Sequence, residues 1–273
     1  FEMMLVASYV LLTLGGRAGQ VRSGMSYIVI SLIASTLFIT TLALFYSATG
    51  TVNMAELAER IPELPSGVRT GFSLLLIAVF GIKAGIFPLF FWLPDSYPTA
   101  PNAVTAIFAG LLTKVGVYAI IRTQLLLFPM DAQQGKLLLV VAGCTMVAGV
   151  LGALANDDLQ RILSFHIISH IGYMIMGLGL FTLAGVAGAV FYVVHHIVVK
   201  TALFLVAGLI ERKYNNNIDL FREGYVSREA APSQNERRKN QLVERIQKLS
   251  VQLSNLKGEL AEAESGVVCF PDA

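Results

Sequence analysis

Long apolar segments fill most of the chain up to about residue 210. With a criterion of about 20 apolar residues per membrane span, the pattern predicts seven spans, at roughly 1–14, 25–48, 70–92, 101–127, 136–155, 160–181 and 184–210. Glycine and other small residues are frequent in these segments, as is typical where membrane helices pack closely. The pattern therefore predicts an all-α protein, a polytopic membrane helix bundle with about seven spans.

The pattern changes after the last predicted span. Residues 214–235, which include Pro232 and a run of asparagines, are predicted to be a linker that follows a transmembrane domain at 1–213. In residues 236–264, large aliphatic residues recur with alternating spacings of four and three, at Leu242, Ile246, Leu249, Leu253, Leu256 and Leu260. About three such heptads predict a soluble C-terminal coiled-coil helix, and we expect residues 265–273 to be a disordered tail.

The composition supports a membrane protein. Of the 273 residues, 55% are hydrophobic and only 14% are charged, which excludes an ordinary soluble domain. Lysine and arginine follow the first and last predicted spans, so the first loop and the C-terminal tail are predicted to be cytoplasmic. We therefore expect a multi-pass protein in the lipid bilayer of the cell (inner) membrane.

Lys83 is the most informative single residue, because it stands within the apolar segment 70–92. A lysine near the middle of a span costs roughly 2.5–3.5 kcal/mol on insertion scales. Pro88 is predicted to break the same helix, which would leave the carbonyl of Ala84 without its backbone donor. Transporters build ion sites from broken helices of this kind. The position therefore favours a functional role over a lysine that merely reaches the headgroups.

Other ionisable side chains also lie in apolar segments, at Glu2, Lys114, His166, His170, His195, His196 and Lys200. Such residues usually mark ion or proton pathways, and histidine titrates near neutral pH. We predict that protons are carried by Glu2, Lys83, Lys114, His196 and Lys200. The candidate relay residues are His166, His170, His195 and Tyr118. A structural ion pair is the alternative for Lys114, but its helix contains no acid.

Two histidine pairs raise the question of a metal. His166 and His170 are four residues apart, and His195 and His196 are adjacent, but neither pair has a carboxylate or thiolate nearby in the sequence to complete a zinc site. We therefore predict no metal site, and we expect no cofactor, no catalytic residue and no self-contained catalytic chemistry.

The segment GIKAGIFPLFFWLPDSYPTAPNAVTAIFAGLLTKVGVYAIIR, residues 81–122, closely resembles the antiporter-like membrane subunits shared by Mrp-type cation/proton antiporters and respiratory complex I. The motif joins a lysine before a proline, the WLPD sequence and a second lysine in GLLTKVGVY. FPLFFWLPDSYPTAP is most similar to the D-type subunit of the Mrp complexes. ALANDDLQRILSFHIISHIGYM and HHIVVKTALFLVAGLIER extend the resemblance to about residues 1–213.

The resemblance implies a proton-translocating subunit of a multisubunit antiporter that exchanges protons for sodium or another monovalent cation, with the other subunits as partners. It implies that Glu2 and Lys83 form an acid–lysine pair, that Lys114 is a connecting lysine, and that His196 and Lys200 belong to a central hydrophilic axis. Two alternatives stay open. One is a proton-pumping membrane subunit of an NADH dehydrogenase-type complex, and the other is a non-transporting anchor whose coiled coil recruits a partner. No nucleic-acid partner is expected for the membrane part.

The sequence also departs from the family pattern. In the family, another broken helix with an ionisable residue follows, whereas here the heptad tail, which loosely resembles coiled-coil segments of large serine recombinases, takes its place. The chain begins with Phe1 inside an apolar segment. We therefore expect an internal fragment joined to an unrelated coiled coil, and we expect that it does not support transport alone.

Overall fold

A computed structural model describes the backbone of residues 2–128, 132–230 and 234–266 and the side chains of residues 3–128, 134–213 and 240–258. All regular structure in these ranges is helical. The helices are α1 (Glu2–Thr13), α2 (Ala18–Thr49), α3 (Met54–Arg60) with a 3-10 turn at Ile61–Glu63, α4 (Ser66–Ala84), α5 (Trp92–Ser96), α6 (Asn102–Leu127), α7 (Ala132–Leu154), α8 (Leu159–Gly179), α9 (Leu183–Ala230) and α10 (Gln234–Gly266). The chain divides into two compact units, Phe1–Glu211 and Arg212–Ala273.

Six helices are long and apolar enough to cross a membrane. They are α2, α4 and α6, followed by Gln134–Leu154 in α7, Leu159–Gly179 in α8 and Leu183–Lys213 in α9, while Met3–Thr13 is a shorter apolar helix. Together these seven segments match the seven predicted from the sequence, so the prediction of an all-α membrane bundle is confirmed.

The tail differs from the prediction in one respect. Residues 214–230, most of the predicted linker, are helical because α9 continues to Ala230. The first proline after the last span is Pro232, so nothing before it removes a backbone donor from the helix. The expected disordered tail falls almost wholly at 267–273, which lie outside the described residues.

The third span ends earlier than predicted. Pro88 was expected to break this helix, but α4 already ends at Ala84, before the chain reaches Pro88. Gly85 terminates it in the left-handed conformation with a φ of 78°, which a residue without a Cβ adopts at little cost. The N–H groups of Gly85 and Ile86 both donate to the carbonyl of Gly81, at 2.8 and 3.1 Å. Pro88 therefore lies in the irregular segment 85–91, which leads to the short helix α5.

Helices α4 and α6 are antiparallel neighbours with a fixed register. Near the start of α4, the Ser73 hydroxyl donates to Gln124 Oε1 at 2.8 Å, and Gln124 Nε2 donates back to the Ser73 carbonyl at 3.4 Å. At the other end, a Cβ added to Gly116 would lie 2.6 Å from the backbone nitrogen of Ala84. The end of α4, including Lys83, is therefore held directly against the middle of α6.

The core of the first unit lies around α6 and α8. Ala109, Val117 and Ile120 of α6 are fully buried, and so are the apolar residues of α8 that face inward, Ile167, Ile168, Ile171, Met174 and Ile175. Helix α7 packs along α8. The outer helices α2, α7 and α9 expose most of their apolar surface, as expected for helices that contact lipid.

Replacing Gly116 by alanine tests the close approach of α4 and α6. The new methyl group would collide with backbone atoms, which cannot move aside as a flexible side chain can, and such overpacking typically costs about 1–3 kcal/mol. We expect Gly116→Ala to lower the thermal unfolding midpoint of the purified protein in detergent, measured by loss of the monodisperse size-exclusion peak after heating.

Gly143→Ala is the matched control. Gly143 also lies inside a membrane helix, but a Cβ there meets no atom within 4 Å. We expect this variant to be at least as stable as the parent, because alanine favours helix more than glycine does. Equal destabilisation by both substitutions would show that α4 and α6 are not in close contact at Gly116.

Candidate functional site

Lys83 is half-buried and lies among several helices. Its Nζ donates to the carbonyl of Ser31 on α2 at 3.3 Å, an oxygen that also accepts from the Ser35 hydroxyl at 2.9 Å. It borders a small cavity of about 20 Å³ lined by Met4, Leu5, Tyr27, Ser31, Ile82, Lys83, Trp92, Leu112 and Val115. A cavity of this size has room for roughly one water molecule. Glu2, its partner in the resemblance, begins α1, but its side chain lies outside the described residues.

The segment after the helix break is fixed by two bonds from side chains to the backbone. The indole N–H of Trp92 donates to the carbonyl of Ile82 at 2.9 Å, and Thr145 Oγ1 on α7 accepts from the backbone N–H of Phe87 at 3.0 Å. The sequence predicted that the carbonyl of Ala84 would lack its backbone donor. In the structure, the carbonyl that receives a side-chain donor is that of Ile82, the residue directly before Lys83. Trp92 of the WLPD motif thus supplies a donor that the broken helix lacks.

Lys114 is buried in the middle of α6, with 2% of its surface exposed. Its ammonium group donates to the carbonyl of Ala109 in the same helix. Four residues earlier, a Cβ on Gly110 would collide with the side chain of Thr201 and come within 3.6 Å of the Ile197 carbonyl. The absence of a side chain at Gly110 therefore lets α9 approach the turn that precedes Lys114.

A cluster of polar side chains connects α8 and α9. Lys200, which is 1% exposed, places its Nζ 2.5 Å from Nδ1 of His166. The ring of His166 stacks on that of His170 with centroids 4.2 Å apart, and His170 Nδ1 is hydrogen-bonded to the Tyr192 hydroxyl. The ring of His196 lies 5.1 Å from that of His170. The structure thus brings together one lysine, three histidines and a tyrosine that the sequence places on two helices.

Lys114 interacts electrostatically with this cluster, because the charge of Lys200 acts on Lys114 and that of Lys114 acts on His170 and His196. None of the salt bridges in the described part of the chain involves either buried lysine. Like charges repel strongly where the dielectric constant is low, so a positive charge on one lysine opposes a positive charge on the other.

Two buried groups in this region have unsatisfied polar atoms. Both ring nitrogens of His196 and the hydroxyl of Thr113, which precedes Lys114, are buried without a hydrogen-bond partner. An unsatisfied buried polar atom costs about 1–3 kcal/mol, and internal water normally removes that cost.

The two remaining predicted relay residues are exposed. His195 lies at the edge of the cluster, with its ring 6.0 Å from that of Tyr192 and 6.4 Å from that of Phe191. It does not share the direction of the buried His196, because consecutive residues on a helix are rotated by about 100°. Tyr118 is 61% exposed, although it lies one turn from Lys114, and Lys114 bonds to the Ala109 carbonyl and not to the tyrosine hydroxyl.

A hydrogen-bonded group joins the starts of α6 and α8 to the end of the membrane-spanning part of α9. Gln160 Nε2 on α8 donates to Asn102 Oδ1 on α6 at 2.9 Å and to Glu211 Oε2 on α9 at 2.6 Å. Asn102 Nδ2 donates to the carbonyl of Gly208 on α9 at 3.3 Å. These bonds fix the three helices relative to one another and so help to position the lysines and histidines that the helices carry.

Sequence reasoning missed these supporting polar residues, among them Ser31, Ser73, Gln124 and Gln160. The signal for Gln124 was present, since an amide within an apolar helix requires a partner as much as a lysine does. Within the described ranges, no three His, Cys, Asp or Glu side chains group together to hold a metal ion, and we assign none.

The break after α4, the adjacent Lys83 and the buried Lys114 all lie within the motif at 81–122, while Lys200 and the histidines lie in the segments that extend the resemblance. Residues 1–230 match the NADH:quinone oxidoreductase/Mrp antiporter transmembrane family. The chain belongs to this family, as the resemblance indicated.

The similar proteins include subunits of antiporters. The chain is 52% identical over 214 residues to the D-type subunit of the Na(+)/H(+) antiporter of Alkalihalophilus pseudofirmus, covering 78% of this chain and 43% of that protein. It is 42% identical over 212 residues to the corresponding Bacillus subtilis protein, covering 77% and 43%. The structure resembles a chain in the Mrp complex from Dietzia sp. with a TM-score of 0.72 and 39% identity, covering 77% of this chain and 40% of that one. The chain therefore spans less than half the length of these relatives.

Chemical labelling of lysines tests the geometry of the site independently of any activity. In the folded protein in detergent, we expect an amine-reactive ester to modify the exposed Lys136 and Lys213 readily, whereas Lys114 and Lys200 stay unmodified until the protein is denatured. The extent of modification is measured for each lysine by peptide mass spectrometry. Comparable labelling of Lys114 and Lys136 in the folded protein would contradict the burial described above.

Proposed function

We propose that this chain forms part of the proton-translocating membrane subunit of a multisubunit antiporter that exchanges sodium, or another monovalent cation, for protons. The observation that carries the proposal is the set of ionisable side chains on neighbouring apolar helices. Lys114, His196 and Lys200 are buried, and the half-buried Lys83 lies beside a broken helix. Ionisable residues within membrane helices are costly and are kept where protons or ions pass.

The proposed path begins at Lys83. The end of α4 packs against Gly116 of α6, while Leu112 and Val115 of α6 line the Lys83 cavity. Lys114 lies on a different side of the same helix, towards α8 and α9. A proton that leaves Lys83 would thus cross the thickness of one helix, by way of water, to reach Lys114.

From Lys114 the path continues to the cluster of α8 and α9. Lys200, His166, His170 and Tyr192 follow one another through direct contacts. His196, with both ring nitrogens unsatisfied, is the candidate for a water-mediated step between Lys114 and His170. Glu2, which the family resemblance pairs with Lys83, completes the proposed set at the α1 end.

The proposed partners are the other subunits of an Mrp-type complex, because the similar D-type subunits are named as parts of Na(+)/H(+) antiporters. We propose that the chain lies in the cell membrane with residues after the last span in the cytoplasm. A second candidate is a proton-pumping subunit of an NADH dehydrogenase-type complex, which the family description favours. The third candidate function is that of a non-transporting anchor, which would not explain why lysines are buried in the membrane helices.

Transport by a chimera tests the proposal. Residues 1–213 replace the matching segment of the Bacillus subtilis D-type subunit in its complete antiporter complex, expressed in a host without sodium/proton antiporters. We expect everted membrane vesicles to show sodium-dependent proton exchange, followed with a pH-sensitive dye after sodium addition. Lys83→Ala and Lys114→Ala should each reduce the exchange at least about tenfold, because each removes a proton carrier from a continuous path.

Lys136→Ala is the matched control, since Lys136 is an exposed lysine in the first turn of α7. It should transport like the parent chimera, and blue native electrophoresis should show that all three variants assemble. Full exchange by an assembled Lys83→Ala variant would favour the anchor. Proton movement that requires NADH and not sodium would favour the dehydrogenase-type complex.

A further inference from the structure

Helix α10 presents an apolar seam that is exposed along residues 240–258, where its side chains are described. Its seam residues with described side chains, Leu242, Ile246, Leu249, Leu253 and Leu256, are each 57–62% exposed. They lie on one face because their spacing alternates between four and three. The remaining surface is polar and includes an ion pair between Glu244 and Lys248 at 3.4 Å. An isolated helix with this pattern gains most of its stability from a partner that buries the seam.

The heptad register follows directly from the spacing. Since a step of three residues runs from position a to position d, Ile246, Leu253 and Leu260 occupy a, and Leu242, Leu249 and Leu256 occupy d. The seam contains no polar residue between 242 and 260. It is therefore self-complementary, so that a second copy of the same helix can cover it over its full length.

The charges beside the seam distinguish the two orientations of such a pair. In a parallel pair, a g residue faces the e residue five positions later in the second copy. Arg245 would then face Ser250, Gln252 would face Lys257, and Glu259 would approach Glu264. The parallel arrangement thus forms no pair of opposite charges and brings two carboxylates together.

In an antiparallel pair, the apolar seam residues of the two copies pack in layers as well as in a parallel pair. The charges beside the seam are more complementary than in the parallel pair. Layers form between Ile246 and Leu256, between Leu253 and Leu249, and between Leu260 and Leu242 of the two copies. The g positions then face each other, which places Arg245 of each copy beside Glu259 of the other. Glu236 and Glu264 approach only beyond the last leucine layer. The antiparallel pair therefore has two attractive ion pairs within the seam.

We propose that α10 associates with α10 of a second copy of this chain as an antiparallel two-stranded coiled coil. The two-fold symmetry of this arrangement makes each contact occur twice, as in other symmetric dimers. The association is independent of proton transport and would link two copies through their C-terminal helices.

Cysteine cross-linking of the whole chain in detergent tests both the association and its direction. In a Cys144→Ser, Cys269→Ser background, two differently tagged copies are co-expressed, one with Ile246→Cys and the other with Leu256→Cys. Mild oxidation should give the mixed disulfide, because the two positions share a layer. The control pair carries Ile246→Cys in both copies. In the antiparallel arrangement these two cysteines are about 15 Å apart along the axis, too far for a disulfide.

Charge reversal provides the second measurement. Arg245→Glu should reduce the mixed disulfide several-fold, since it places two carboxylates opposite each other, and the double variant Arg245→Glu, Glu259→Arg should restore it. In a parallel pair, Arg245→Glu would face Ser250 and change nothing. Cross-linking of the control pair, or no disulfide in either pair from variants whose size-exclusion profiles match the parent, would overturn the proposal.

Discussion

The high cost of an unpaired polar group in the apolar interior of a membrane governs this structure. No water is available in the bilayer core to satisfy a backbone N–H, a carbonyl or an ammonium group, so each needs a partner within the protein. Lys114 donates to the carbonyl of Ala109, Lys200 contacts His166, and the indole of Trp92 covers the carbonyl of Ile82. The local structure around every one of these side chains follows from that requirement.

The helices that carry the lysines also make close backbone contacts, so the packing of these helices determines where the charged groups lie. Gly116 allows the end of α4 to rest on α6, and Gly110 allows α9 to approach the turn before Lys114. The hydrogen bonds of Gln160 then fix the starts of α6 and α8 against the part of α9 near Glu211. The spacing of the lysines therefore depends on how these helices pack. This arrangement suits a proton path, in which distances between successive groups must stay short.

Much of the fold could be predicted from the sequence because membrane spans obey a simple length and polarity criterion. The seven apolar segments, and the three lysines within them at positions 83, 114 and 200, could be recognised in this way. The residue at which the third span ends could not be recognised in this way. Pro88 is the stronger helix breaker in isolation, but the local cap at Gly85, with two N–H groups directed at Gly81, ends the helix first.

The sequence by itself determined that the chain is a bundle of membrane helices with ionisable residues at unusual depth, and that its tail is a heptad helix. Those features depend on residue type and on spacing within one helix. Only the tertiary structure decided which residues meet: His196 is buried beside His170, whereas the exposed His195 lies at the edge of the cluster beside Tyr192, and Tyr118 is 61% exposed. Contacts between helices depend on crossing points set by glycines and interhelical hydrogen bonds, and periodicity within one helix carries no information about them.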